Sequence, residues 1–147
     1  TVEFVVDRGI THELVRHRVF SFSQESTRYC NYVGDNFGNE LTFIKPLFWD
    51  EDIDEYDTWE FMMSSIEENY AYLVEIGAKP EQARSILPNS LKADLVMTGS
   101  LEQWREFFKL RVAAGAHPQM REVAIPLLAE MQARWSDVFD DLALGTP

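Results

Sequence analysis

Arg16-His17-Arg18-Val19-Phe20-Ser21-Phe22-Ser23-Gln24-Glu25-Ser26-Thr27-Arg28-Tyr29 is the densest chemical signal in the chain. Three arginines, three serines and Gln24 fall within these fourteen residues, beside a single acid, Glu25. An arginine fork meets phosphate oxygens through two parallel hydrogen bonds, and serine hydroxyls complete the shell of such an anion. Gln24 carries both a donor and an acceptor, which reading the edge of a heterocyclic base requires. The bland alternative is a patch of surface ion pairs. From Arg8 to Arg28, however, four arginines and two histidines face only Glu13 and Glu25. Anion binding is the better reading of this stretch.

The rest of the chain is acidic. Its 147 residues carry thirteen Lys and Arg against twenty-five Asp and Glu, a formal charge of −12. That balance excludes non-specific nucleic-acid binding, which runs on surplus cations, but a local cationic island can still focus a small anion. Six acids and no base lie between Asp50 and Asp57, read as a solvated loop leading into a helix. With 46% hydrophobic residues the length suits one domain with its own core, residues 1–147. Apolar runs are short, so no membrane span is expected. The lone Cys30 excludes an internal disulfide framework. With no charged-then-apolar leader read at the start, a cytoplasmic location is expected.

Working outward, the alternation in Thr1–Asp7 predicts a strand. Thr11 is the expected cap of a short helix that carries Leu14 and Val15 and delivers Arg16, His17 and Arg18 at its end. Ser21–Ser26 suits an ordered loop, Tyr29–Val33 an extended segment, and Pro46–Asp57 a connection. Trp59, Met62, Met63, Ile66, Tyr70, Leu73 and Val74 recur at helical spacing, with Gly77 as the stop. This stripe is core or subunit interface. Pro80 opens a short helix that Pro88 closes, and Leu91–Thr98 favours a strand. Ser100 with Gln103 forms a capping box for a helix whose stripe is Leu101, Trp104, Phe107, Phe108 and Leu110, ending at Arg111. Pro118 begins a last helix to about Ala133. The fold class is α+β, helices with a small sheet.

The Arg16–Tyr29 stretch resembles the signature of flavin-dependent thymidylate synthases: Arg-His-Arg, then Ser21, Ser26 and Arg28, followed by Tyr. Glu81-Gln82-Ala83-Arg84-Ser85-Ile86-Leu87-Pro88 is similar to the family's second block, whose arginine contacts the nucleotide. Phe108-Lys109-Leu110-Arg111 is similar to a third block, whose arginine is assigned to activating the pyrimidine ring. The likeness runs from about Asp7 to Ala133. The family is usually longer at its N-terminus, so the chain is expected to have that family's fold without its first part.

The resemblance implies methylation of dUMP to dTMP, with methylenetetrahydrofolate as carbon donor and NADPH-reduced FAD as hydride donor. Glu13, Leu14, Val15, Arg16, Gln24, Glu25, Ser26, Thr27, Arg28 and Arg84 would hold or line the nucleotide. Arg16, His17, Arg18, Gln24, Ser100 and Glu106 would face the flavin. Arg111 would stabilise negative charge developing on the ring and so be the catalytic residue. The family also implies a homotetramer with shared active sites. At Ser100, Glu102 and Glu106 its pattern has Asn, Arg, and His or Asn. Those departures motivate an alternative, a nucleotide-binding homologue without flavin affinity, and a helical interaction module is a third reading.

Other chemistries are less well supported. Ser26 as nucleophile needs a base, and His17 is the one candidate nearby in sequence. Cys30 reads as a small packed residue. His12, His17 and His117 are too few and too ill-spaced for a metal site, so none is expected. The glycines form neither a dinucleotide fingerprint nor a P-loop.

Overall fold

Alternating apolar residues do produce the opening strand, β1 (Val2–Asp7), with Phe4 and Val6 buried. These and the following elements belong to a computed structural model, which describes residues 1–28 and 41–144. After β1 come α1 (Arg8–Leu14), β2 (Ser21–Gln24), α2 (Asp54–Glu75), α3 (Pro80–Ala83) and a 3₁₀ turn (Arg84–Ile86). Then follow β3 (Lys92–Thr98), α4 (Leu101–Arg111), α5 (Pro118–Arg134) and α6 (Ser136–Phe139). Among the described residues no helix is long and apolar enough to cross a membrane. The expected extended segment Tyr29–Val33, and Cys30 within it, lie outside the described residues.

The sheet has the order β1-β3-β2, with both pairings antiparallel. Phe4 pairs with Leu95 and Val6 with Ala93, while Phe22 opposes Met97 and Gln24 opposes Leu95. Ala93, Leu95 and Met97 are buried, so β3 shows the period of two that the ambiguous Leu91–Thr98 stretch allowed. Ser21–Gln24 is a strand rather than the expected loop. Its polar residues alternate with Phe22 on the sheet's edge, and pairing with β3 overrides their turn preference.

Asp7, not Thr11, caps α1. Its Oδ1 accepts from the Ile10 backbone N–H at 2.7 Å, and its Oδ2 accepts from Gln119 Nε2 of α5 at 2.7 Å. Thr11 is buried one turn later and donates to the Arg8 carbonyl. The acidic run is partly helical: Asp54, Glu55 and Asp57 occupy the first turn of α2, where carboxylates complement the helix dipole. Gly77 ends that helix as expected, at φ +96°, with Gly77 N–H on the Val74 carbonyl and Ala78 N–H on the Leu73 carbonyl.

The main core joins Phe4, Val6, Leu95 and Met97 of the sheet to Trp104, Phe107 and Phe108 of α4 and to Met120, Ala124 and Leu128 of α5. The short α6, too brief to announce itself by periodicity, closes it with Phe139 against Phe108 and a two-point Arg105–Asp141 ion pair. A smaller cluster of Leu41, Tyr70, Ala83 and Leu91 lies under α2 and α3. The α2 stripe faces inward as its spacing promised, with Trp59, Ile66, Leu73 and Val74 half-buried and Met62 the exception. Met63 and Tyr70 are buried, but Met62 is exposed, as are Phe61, Tyr72 and Ile76.

Candidate functional site

The helical register of α4 decides where Arg111 goes. It follows Trp104 by seven residues, Phe107 by four and Phe108 by three, so it stands on the core-facing side, half-buried. Leu110, counted in the stripe from sequence, is 64% exposed. The guanidinium reaches across to the end of α1 and makes three hydrogen bonds there. Nη1 donates to Glu13 Oε2 at 2.7 Å, Nη2 to the Glu13 carbonyl at 3.1 Å, and Nε to His17 Nε2 at 2.9 Å.

His17 must be neutral to accept that bond. Its ring rests edge-on against Phe107, 5.0 Å between centroids. Burial, reinforced by the Arg111 charge, pushes its pKa below the ordinary imidazole value. The hydrogen bond assigns the remaining ring proton to Nδ1. Phe20 holds the turn that follows: its ring packs so closely on Gly99 that a Cβ there would lie 2.4 Å away. Gln103, which completes the capping box with Ser100, also donates to the Val19 carbonyl at 2.9 Å. The Arg-His-Arg segment is therefore pinned from both sides, with Arg16 and Arg18 exposed and His17 turned inward.

Further along, Gln24 Nε2 donates to Thr11 Oγ1 at 2.9 Å, and the Glu25 N–H donates to the Asp94 carbonyl at 3.0 Å. Ser26 Oγ accepts from the Arg28 N–H at 3.4 Å. Thr27 is buried and faces a cleft of about 460 Å³, which it shares with Arg84, Arg8, His12, Glu81 and Asn89. A cleft of that size accommodates a nucleotide-sized ligand.

Thus Glu13, His17 and Arg111 come into contact, and Thr27 and Arg84 share a cleft. One expectation changes. Leu14 is fully buried in the core, backbone included, and does not line a ligand. Ser100 Oγ accepts from the Gln103 N–H and keeps its own O–H, and Glu106 pairs with Lys109 on the exposed face of α4. Arg8 and His12 were missed. Both were counted in the cationic stretch from Arg8 to Arg28 but assigned to no site. Among the described residues no group of three His, Cys, Asp or Glu is placed to hold a metal.

A family model described as thymidylate synthase complementing protein matches residues 1–135. The chain belongs to that family. The flavin-dependent thymidylate synthase of Pyrococcus furiosus is 37% identical over 127 residues, covering 86% of this chain and 51% of its own length. That of Corynebacterium glutamicum is 31% identical, covering 96% of this chain and 60% of its own. The chain thus spans about half the length of these curated relatives. A flavin-dependent thymidylate synthase from Helicobacter pylori, solved with FAD and dUMP, superposes with a TM-score of 0.72 at 21% identity, over 98% of this chain and 72% of that one. The family's fold is therefore present here, α+β as the sequence predicted.

Proposed function

We propose that residues 1–147 form a domain of a flavin-dependent thymidylate synthase, which methylates dUMP to dTMP. Methylenetetrahydrofolate is the carbon donor and NADPH the source of reducing equivalents. The observation that carries this reading is the Arg111–Glu13–His17 contact. It joins two motif blocks more than ninety positions apart in sequence, with |i−j| of 94 and 98, into one half-buried site.

The protein's own work is electrostatic and geometric. Arg111, held by three acceptors, keeps its outward N–H groups aimed at the pyrimidine ring. Negative charge gathering there is met by a donor that need not reorganise. Arg84 and Thr27 grip the nucleotide in the cleft, with Gln24, Glu25, Ser26 and Arg28 along its edge. Val15 and Arg16 line it from the end of α1.

Several of these side chains suit a flavin. Exposed Arg16 and Arg18 supply cations for a diphosphate, neutral His17 a flat ring, and Gln24 an amide. On the α4 side, Ser100 offers its O–H, and Glu106 is paired with Lys109. Bound there, FAD supplies the hydride that completes the methyl group. The exposed Phe61, Met62, Tyr72 and Ile76 of α2 suit contact between copies in a homotetramer with shared sites, working in the cytoplasm.

The test is direct. The purified full chain should take up FAD, with absorbance in the flavin bands, and should melt higher with dUMP, since a ligand that binds the native state stabilises it. A colourless protein that FAD cannot reconstitute and dUMP does not stabilise would sink the proposal.

A further inference from the structure

Thr11 is fully buried in the middle of α1, and its hydroxyl is used twice. Oγ1 donates to the Arg8 carbonyl at 3.0 Å and accepts from Gln24 Nε2 at 2.9 Å. A hydroxyl carries one proton. With that proton committed to Arg8, Thr11 can only accept from Gln24, so the amide must turn its NH2 group towards α1. The backbone holds both ends of this chain in place. The Arg8 N–H donates to the Leu91 carbonyl at 3.0 Å, while Gln24 pairs with Leu95 and the next N–H, that of Glu25, donates to the Asp94 carbonyl at 3.0 Å.

The two ends of a glutamine amide differ little in size, so packing alone does not choose between its two orientations. Here the polarity of one hydroxyl chooses. It leaves Oε1, an acceptor, as the atom that Gln24 offers to a ligand. Among the described residues no hydrogen bond takes that oxygen. An acceptor fixed in this way favours a ring N–H over a ring nitrogen that carries a lone pair, because two facing acceptors both go unsatisfied.

We propose that Thr11 is a positioning residue, which orients Gln24 so that its carbonyl oxygen receives the imide N–H of a pyrimidinedione ring. This rests on the reading that the chain binds dUMP and FAD, and it adds the choice of the ring's protonation pattern to that reading. Uracil and the flavin ring share the edge in question, an N–H between two carbonyls. In cytosine the same ring position is an unprotonated nitrogen, which would meet Oε1 lone pair to lone pair.

Calorimetric titration of the full chain with dUMP and dCMP, and with FAD and its N3-methyl derivative, tests the proposal and separates the two rings. Thr11→Val keeps the shape of the side chain, removes the hydroxyl and frees the amide to turn over. The preference for dUMP over dCMP should then narrow about tenfold, and Thr11→Ser should keep it as in the unaltered protein. Thr11→Ala should narrow it equally, and covers a valine variant that fails to fold. A narrowed preference for FAD over its N3-methyl derivative, with that for dUMP kept, gives the imide to the flavin and supports the same role for Thr11. A general loss of affinity with both preferences kept is what a purely structural Thr11 produces, and it overturns the assignment. Unchanged binding throughout, or a narrowing that the serine variant shares, overturns it too. These outcomes leave the thymidylate synthase reading intact, whereas an unaltered protein that binds neither dUMP nor FAD overturns both.

Discussion

Arg111 and Arg84 are both arginines that a nucleotide site needs, yet the molecule treats them in opposite ways. Arg111 stands on the large core, at the end of a helix whose Trp104, Phe107 and Phe108 are fully buried, and its guanidinium is tied to Glu13 and His17. Arg84 stands on the small cluster of Leu41, Tyr70, Ala83 and Leu91, exposed and untied. The contrast follows from the tasks. A donor that must meet charge as it develops gains from being fixed beforehand, because it then pays no reorganisation during the reaction. A donor that captures a ligand from water can stay mobile, and loses its rotamer freedom only when the ligand arrives.

The comparison breaks most visibly in the core. Phe107→Ala, which removes a buried ring touching Phe4, His17, Phe20, Trp104 and Phe108, should cost about 3–5 kcal/mol in chemical denaturation. Arg111→Ala comes next. Turnover should fall about a hundredfold or more, roughly 3 kcal/mol of barrier, while the fold survives with a lowered melting temperature. Normal turnover in that variant would refute its catalytic role. Leu91→Ala in the small cluster should cost about 2 kcal/mol and weaken dUMP binding through the Arg84 cleft, leaving the Arg111 contacts alone. Arg84→Ala should raise KM for dUMP by about tenfold with kcat much less affected, a loss in gripping rather than in chemistry.

The smallest effect is a pH dependence. Because the folded protein holds the His17 pKa below its ordinary value, the unfolded chain binds more protons as pH falls through 6.5 and lower. Stability is therefore full above that value and drains away as acidity increases towards the folded-state pKa. His17→Gln, whose carbonyl can still accept from Arg111, should flatten this slope in melts between about pH 7.5 and 5.

Much of this was legible in the residues. The α4 capping box, the Gly77 stop and the Pro80 and Pro118 starts each rest on local backbone chemistry, which sequence displays directly. What was hidden depends on partners far along the chain. Ser21–Gln24 is a strand because β3 pairs with it, and Asp7 caps α1 while also bonding Gln119, more than a hundred positions away. The Arg-His-Arg stretch and Arg111 were visible as motif residues, but their mutual contact was not, since only the fold brings α4 to the end of α1. Arg8 and His12 were counted in the cationic stretch, but nothing in their spacing shows that Arg84 lies across the cleft.

Asp7 carries a practical lesson for anyone screening variants of this chain. One oxygen of its carboxylate starts the helix that ends in the arginine segment, and the other bolts that helix to α5. Asp7→Asn looks harmless on paper, yet it swaps one acceptor for a donor that faces either a backbone N–H or the Gln119 amide. The start of α1 loses charge at its cap, and an assay would score the result as lost chemistry when the damage lies in the helix anchor.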